Sequence, residues 1–232
     1  MKKWKKVLIT IAIPVLIVVG ALGFYFLYEG SHFFSTDNAK VTAKMITVTP
    51  EVTGKVISWD IKEGDYVKAG QILGHQDVNG LITSSDINTQ ALSSSADSIA
   101  AKTAIKSPID GKVIQSNAIK GQVISPGMQV VTVADTSNIY IVANIEETSI
   151  LKIKTGQKVD IRIDAYSNKN FVGYVESIGE ATQSAFSGTS SLTTSGTYSK
   201  VTQLVPVKIS IADSENLKLM IGLNSTVKIH IK

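Results

Sequence analysis

Gly54-Lys55-Val56-Ile57 returns 57 positions later as Gly111-Lys112-Val113-Ile114, and this repeat constrains the chain more than any other feature. The register persists: Gly64 falls on Gly121, Val67 on Ile124, Gly70 on Gly127 and Leu73 on Val130. Short β-branched runs broken by glycine indicate strands and turns. Two related half-units therefore bracket a dissimilar segment, and a pair of halves predicts one small β-domain built by pseudo-symmetry. Gly54, Gly64, Gly70, Gly111, Gly121 and Gly127 are read as structural turn glycines that admit positive φ. None precedes a helix, as a phosphate-cradling loop requires. Val56, Ile57, Val67 and Leu73 are expected to share a core with Val113, Ile114, Ile124 and Val130.

The chain has no cysteine, which excludes disulfides, thiolate metal sites and an acylated cysteine. His32, His75 and His230 are scattered without metal-ligand spacing, so no metal site is expected. The net charge of +4 sits in Lys2, Lys3, Lys5 and Lys6; the remaining 19 basic and 19 acidic residues balance. A neutral body lacks the basic face of a nucleic-acid binder. Asp60, Glu63 and Asp65 cluster near a turn, as do Glu146 and Glu147. Catalytic carboxylates need environments that separate their pKa values; on solvated turns these read as surface charge, and no catalytic residue is expected.

From Val7 to Tyr28 there is no charge across 22 positions. A helix of that length measures about 33 Å, enough for a hydrocarbon core of about 30 Å. Phe24, Tyr25, Phe26 and Tyr28 suit the interface at one end. A cleaved signal peptide has a shorter apolar region and a small-residue cleavage site, which Glu29-Gly30-Ser31-His32-Phe33-Phe34 does not offer. The expectation is an uncleaved single-pass anchor in the cytoplasmic membrane. The lysines at 1–6 keep that tail in the cytoplasm and place the bulk of the chain outside.

Residues 29–44 read as a polar stalk and incoming strand. The half-units occupy 45–77 and 104–136, and 78–103 between them is serine-rich, a short helix or a flexible loop. No heptad pattern persists there, which excludes a long coiled coil. From residue 137 the strands lengthen. Ile139, Ile141, Ala143 and Ile145 alternate with polar neighbours, as do Val159, Ile161 and Ile163; Val205, Val207, Ile209 and Ile211; and Val227, Ile229 and Ile231. Period-two patterning in four to six strands predicts a small barrel or sandwich over 137–232. A short helix is expected near 146–152 and a mobile loop over 184–199.

These segments, in order, resemble the membrane fusion (periplasmic adaptor) proteins of the HlyD/EmrA type. The likeness is carried by Ser35-Thr36-Asp37-Asn38-Ala39, Val48-Thr49-Pro50-Glu51-Val52-Thr53-Gly54-Lys55-Val56 and Ile105-Lys106-Ser107-Pro108-Ile109-Asp110-Gly111-Lys112-Val113. Further along it continues in Ile141-Val142-Ala143-Asn144-Ile145-Glu146-Glu147-Thr148, Gly156-Gln157-Lys158-Val159 and Val201-Thr202-Gln203-Leu204-Val205-Pro206-Val207. The resemblance implies a mainly β chain: a transmembrane helix, a lipoyl-like sandwich split between 45–77 and 104–136, and a C-terminal β-barrel. It also implies a homo-oligomeric, non-enzymatic adaptor. Its partner would be a cytoplasmic-membrane exporter, of the major facilitator type first and the ABC type second. One departure is large. The family usually separates the lipoyl halves by a long helical hairpin, whereas two arms sharing 78–103 would reach only about 20 Å.

Two other readings remain open at this level. A lipoyl or biotinyl carrier needs a modified lysine at the turn joining the halves; Asp77-Val78-Asn79-Gly80 holds none, and Lys102 has neither the position nor the flanks, so no cofactor is expected. A surface-anchored module binding the cell wall without a transporter would use the same fold.

Overall fold

The computed structural model describes residues 16, 17, 19, 20, 23, 32–78, 102–186, 202–212 and 219–231. The tail at 1–6, most of the apolar run 7–28, residues 79–101 and residues 187–201 lie outside the described residues. Among the described residues no helix is long and apolar enough to cross a membrane. Within the apolar run, Leu16, Ile17 and Val19 are helical with exposed side chains.

The chain divides into two units, Ala43–Ile139, and Met1–Thr42 with Tyr140–Lys232. The first contains β2 (Gly54–Trp59), β3 (Tyr66–Val67), β4 (Ile72–Asp77), β5 (Ala104–Lys106), β6 (Gly111–Ser116) and β7 (Val123–Ile124). It also takes the end of β1 (Phe33–Val48) and the start of β8 (Val131–Glu146). Strands β5, β4, β2 and β7 form one sheet; β8, β6 and β3 form the other. The end of β1 lies along β8, where Val130 N–H donates to the Val48 carbonyl at 3.1 Å.

The 57-residue repeat reappears as reciprocal hydrogen bonding. Gly64 N–H donates to the Val113 carbonyl and Gly121 N–H to the Val56 carbonyl, both at 2.8 Å. Val113 N–H donates to Asp65, as Val56 N–H does to Gln122. Gly54 pairs with Ile124, and Gly111 with Val67. Even the bulges correspond: Ile57 is the extra residue on β2 opposite Gln76 and His75, and Ile114 the extra residue on β6 opposite Val133 and Thr132. Each half completes the turns of the other, so neither half satisfies its backbone groups alone.

The core of this unit holds Val56, Val67, Leu73, Val113, Ile124 and Val130, each buried as expected. Ile57 and Ile114 correct the reading, being 50% and 38% exposed. Side chains alternate across a strand, so Val56 and Val113 pointing inward send their successors outward. Gly54 and Gly111 correct it too. They open strands β2 and β6, without positive φ. A Cβ on Gly111 would meet the Ala134 carbonyl, and one on Gly54 would lie 2.9 Å from the Asp77 oxygen. They are glycine because a neighbouring backbone passes close by. Gly64, Gly70, Gly121 and Gly127 do have φ of 79° to 95°.

The second unit has β9 (Lys158–Ile163), β10 (Asn170–Ile178), β11 (Leu204–Ile211) and β12 (Asn224–His230), with the start of β1 and end of β8. The order is β1-β12-β9-β10-β11-β8, and β8 pairs with β1 to close a six-stranded barrel. Closure leaves no unpaired edge. The interior is filled by the expected alternating set, among them Ile141, Ile145, Val159, Ile161, Ile163, Val207, Ile209, Val227 and Ile229.

The short helix expected near 146–152 is α1 (Glu147–Ile150), and a one-turn helix α2 (Gln183–Phe186) replaces the start of the expected 184–199 loop. Strand β1 runs through most of the segment read as a stalk and incoming strand, and continues to Val48.

Candidate functional site

The described residues present two candidate interaction surfaces. Among the described residues no group of three or more histidine, aspartate or glutamate side chains is placed to hold a metal. The carboxylates at the sequence-predicted turn cap backbone groups: Asp65 accepts from Lys62 N–H at 2.8 Å, and Glu63 from Ser116 N–H at 3.2 Å. Lys102 is helical and exposed, and its carbonyl accepts from Gln76.

The first candidate surface is the outside of the sandwich. On one sheet Val123 pairs with Lys55, two residues before Ile57; on the other Tyr66 pairs with Lys112, two residues before Ile114. Val123 and Tyr66 are 54% and 71% exposed. The halves thus present the same motif, an apolar residue beside a lysine beside a bulged isoleucine, on opposite faces. Lys112 Nζ lies 5.8 Å from the Tyr66 ring centroid, a cation–π distance. Sequence reading placed these isoleucines inside; strict period-two counting from Val56 and Val113 was the signal that would have found them.

The second candidate surface is the barrel mouth where β1 begins. The strands alternate in direction, so β8, β10 and β12 end at this mouth and β9 and β11 begin there. The amides of three elements are linked: Asn144 Nδ2 donates to Asn38 Oδ1 at 3.0 Å, and Gln183 Nε2 to Asn144 Oδ1 at 2.7 Å. Ser184 Oγ donates to Gln203 Oε1, so α2 is held against the wall. An open pocket beside this network is lined by Phe34, Asp37, Glu146 and Thr226. Across the mouth His230 Nε2 lies 2.7 Å from Asp160 Oδ2, with Phe33 edge-on to the imidazole and Lys228 Nζ 4.3 Å above the Phe33 ring. These contacts fasten the first residue of β1 to β12 and β9.

The comparisons divide the chain as the structure does. Residues 44–136 match the barrel-sandwich hybrid domain of RND membrane fusion proteins, and residues 139–229 the YknX-like beta-barrel domain. A putative efflux system component, YhbJ of Bacillus subtilis, is 36% identical over 87% of this chain and 81% of its own length. The multidrug export protein EmrA of Haemophilus influenzae is 37% identical over 56% of this chain but only 34% of its own length. A solved MacA-MexA chimera carrying the Pseudomonas aeruginosa MexA α-hairpin superposes with a TM-score of 0.69 at 20% identity, covering 87% of this chain and 82% of the chimera; it speaks to the fold alone. Sandwich, barrel and relatives agree that this chain belongs to the EmrA-like membrane fusion proteins, the adaptor subunits of efflux and secretion systems.

Proposed function

We propose that the chain is a non-enzymatic adaptor of a multidrug or secretion exporter in the cytoplasmic membrane. Residues 7–28 are its single-pass anchor, with residues 1–6 inside and the β-units outside. The anchor raises the local concentration of adaptor for exporter, the main contribution of a shared membrane tether. Subunits associate side by side through the two outer faces of the lipoyl-like sandwich. The observation that carries this reading is the repeated apolar motif on opposite faces, Val123-Lys55-Ile57 and Tyr66-Lys112-Ile114. Equivalent motifs on opposite sides favour a chain of like contacts that closes into a ring.

The partner is an exporter of the major facilitator type in preference to an ABC exporter, as the sequence resemblance to the HlyD/EmrA type implies. The shortened 78–103 segment confines the adaptor's reach to the neighbourhood of the membrane. Affinity purification of the full chain from native membranes tests this: co-purification of one multi-helix exporter is expected. Isolation of the chain free of any transporter, across mild detergents, contradicts it.

A further inference from the structure

We propose that the loop after β8 is a lipid-contacting tip, seated on the anionic headgroups of the membrane that holds the anchor. This rests on the anchor reading above and adds a second, reversible membrane contact to it. The loop leaves the barrel at the mouth where β1 begins, because β8 and β1 are antiparallel and Asn144 bonds Asn38 across them. Only five residue steps separate Tyr28, the last position of the anchor, from Phe33, the first of β1. Five steps span at most about 18 Å. This mouth of the barrel is therefore held close to the bilayer surface, whatever path the connecting residues take.

At that mouth Leu151 is 89% exposed, more than any other large hydrophobic side chain among the described residues. Lys152 and Lys154 follow it, both exposed, and neither forms an ion pair among the described residues. Between the lysines Ile153 is 4% exposed and fixes the loop to the barrel. Lys152 N–H donates to Ser149 at 3.1 Å and Ile153 N–H to Ile150 at 3.0 Å, while Glu147 N–H donates to the Gln203 carbonyl. The Gln157 side chain brackets the loop, accepting from Lys154 N–H at 2.9 Å and donating to the Lys152 carbonyl. The tip is thus held in shape before it meets anything, so little ordering entropy opposes its docking. An exposed leucine followed by two exposed lysines is the chemistry that enters an interface; Glu146 and Glu147 lie at the other end of the segment, where α1 begins. The lone exposed leucine would mean little elsewhere; its place beside the tether gives it an occupant.

The absence of native cysteine allows a direct test in the full chain. Leu151→Cys and, at the opposite barrel end, Met220→Cys are labelled with an environment-sensitive fluorophore. Each is reconstituted without any transporter into vesicles of phosphatidylethanolamine and phosphatidylglycerol containing a shallow-quencher lipid. The expected result is a blue shift and quenching at position 151 and none at 220. Replacing both lysines, Lys152→Gln with Lys154→Gln, should lower the docked-to-free ratio by about 25-fold, about fivefold per lysine. Absence of quenching at 151 while the chain resists carbonate extraction overturns the tip and leaves the anchor standing. Extraction of the chain by carbonate overturns the anchor, and the tip with it. Protection of the label only when an exporter is co-reconstituted assigns the loop to a protein partner and overturns lipid docking.

Discussion

Val113→Asp is the sharpest perturbation of the sandwich. The side chain is 1% exposed in the core formed by both halves. Its own backbone receives Gly64 N–H and donates to Asp65, each at 2.8 Å. Removing a buried valine forfeits roughly 1.5–3 kcal/mol of apolar burial. A carboxylate in its place adds several kcal/mol more, as an unpaired buried charge or as a forced protonation. A domain of this size is stable by only about 5–15 kcal/mol, so this unit should be largely unfolded at 37 °C. Trp59 reports on it selectively: its Nε1 donates to Ser116 Oγ at 2.8 Å across the two halves. In a Trp4→Phe background it is the one remaining indole, since the chain has two tryptophans. Thermal melts followed by its fluorescence should lose the cooperative transition in Val113→Asp. The control Ile114→Asp, one residue along but on the outer face, should shift the midpoint by only a few degrees. A normal midpoint for Val113→Asp would refute the placement of that strand in a shared core.

Other outcomes follow from the same geometry. Val56→Ala and Val113→Ala occupy equivalent positions, so each should cost about 2 kcal/mol, and urea titrations of the two should agree within about 0.5 kcal/mol. Gly121→Ala forces positive φ on a residue with a Cβ and should cost about 1–2 kcal/mol. Gly111→Ala should cost more, because its Cβ meets the Ala134 backbone, which no rotamer can relieve. Ile57→Ser combined with Tyr66→Ser should leave the melting midpoint within a few degrees yet dissociate the oligomer, as read by light scattering in detergent. Asn144→Ala removes the link between β1 and α2; at an exposed site the cost should stay below about 1 kcal/mol in a denaturant titration.

Much of this is legible in the sequence. The alternating runs from Ile139 onward carried the barrel strands, because burial on one face writes a period of two. The repeat carried the sandwich, down to which glycine matches which. What was hidden depends on neighbours distant in sequence. Gly54 and Gly111 look like the turn glycines they precede, and only the approach of β4 and β8 shows that they serve close backbone packing. An incoming strand was legible within 29–44, but the full extent of β1 was not, because polar residues such as Ser35, Thr36 and Asp37 sit on a barrel wall with one face in solvent. The barrel also repeats the sandwich's turn, and at Gly156-Gln157 it does so with the same residues as Gly70-Gln71 and Gly121-Gln122, each glutamine accepting from the backbone N–H three residues earlier. Gly156 N–H donates to Val175, whose own N–H donates to Gln157, and Gly222 does the same with Val41 and Leu223. Of the candidate surfaces, the glycine repeat pointed to the domain that bears the first, but not to its outward isoleucines. The amide network at the barrel mouth joins residues 38, 144 and 183 and left no mark in local sequence.

The most direct test of the adaptor role is export itself in a clean deletion strain lacking any paralogue. Efflux of the exporter's compounds should fall and sensitivity should rise, with recovery on restoring the full chain and no recovery from Val113→Asp. Unchanged export and unchanged sensitivity in that strain would contradict the account.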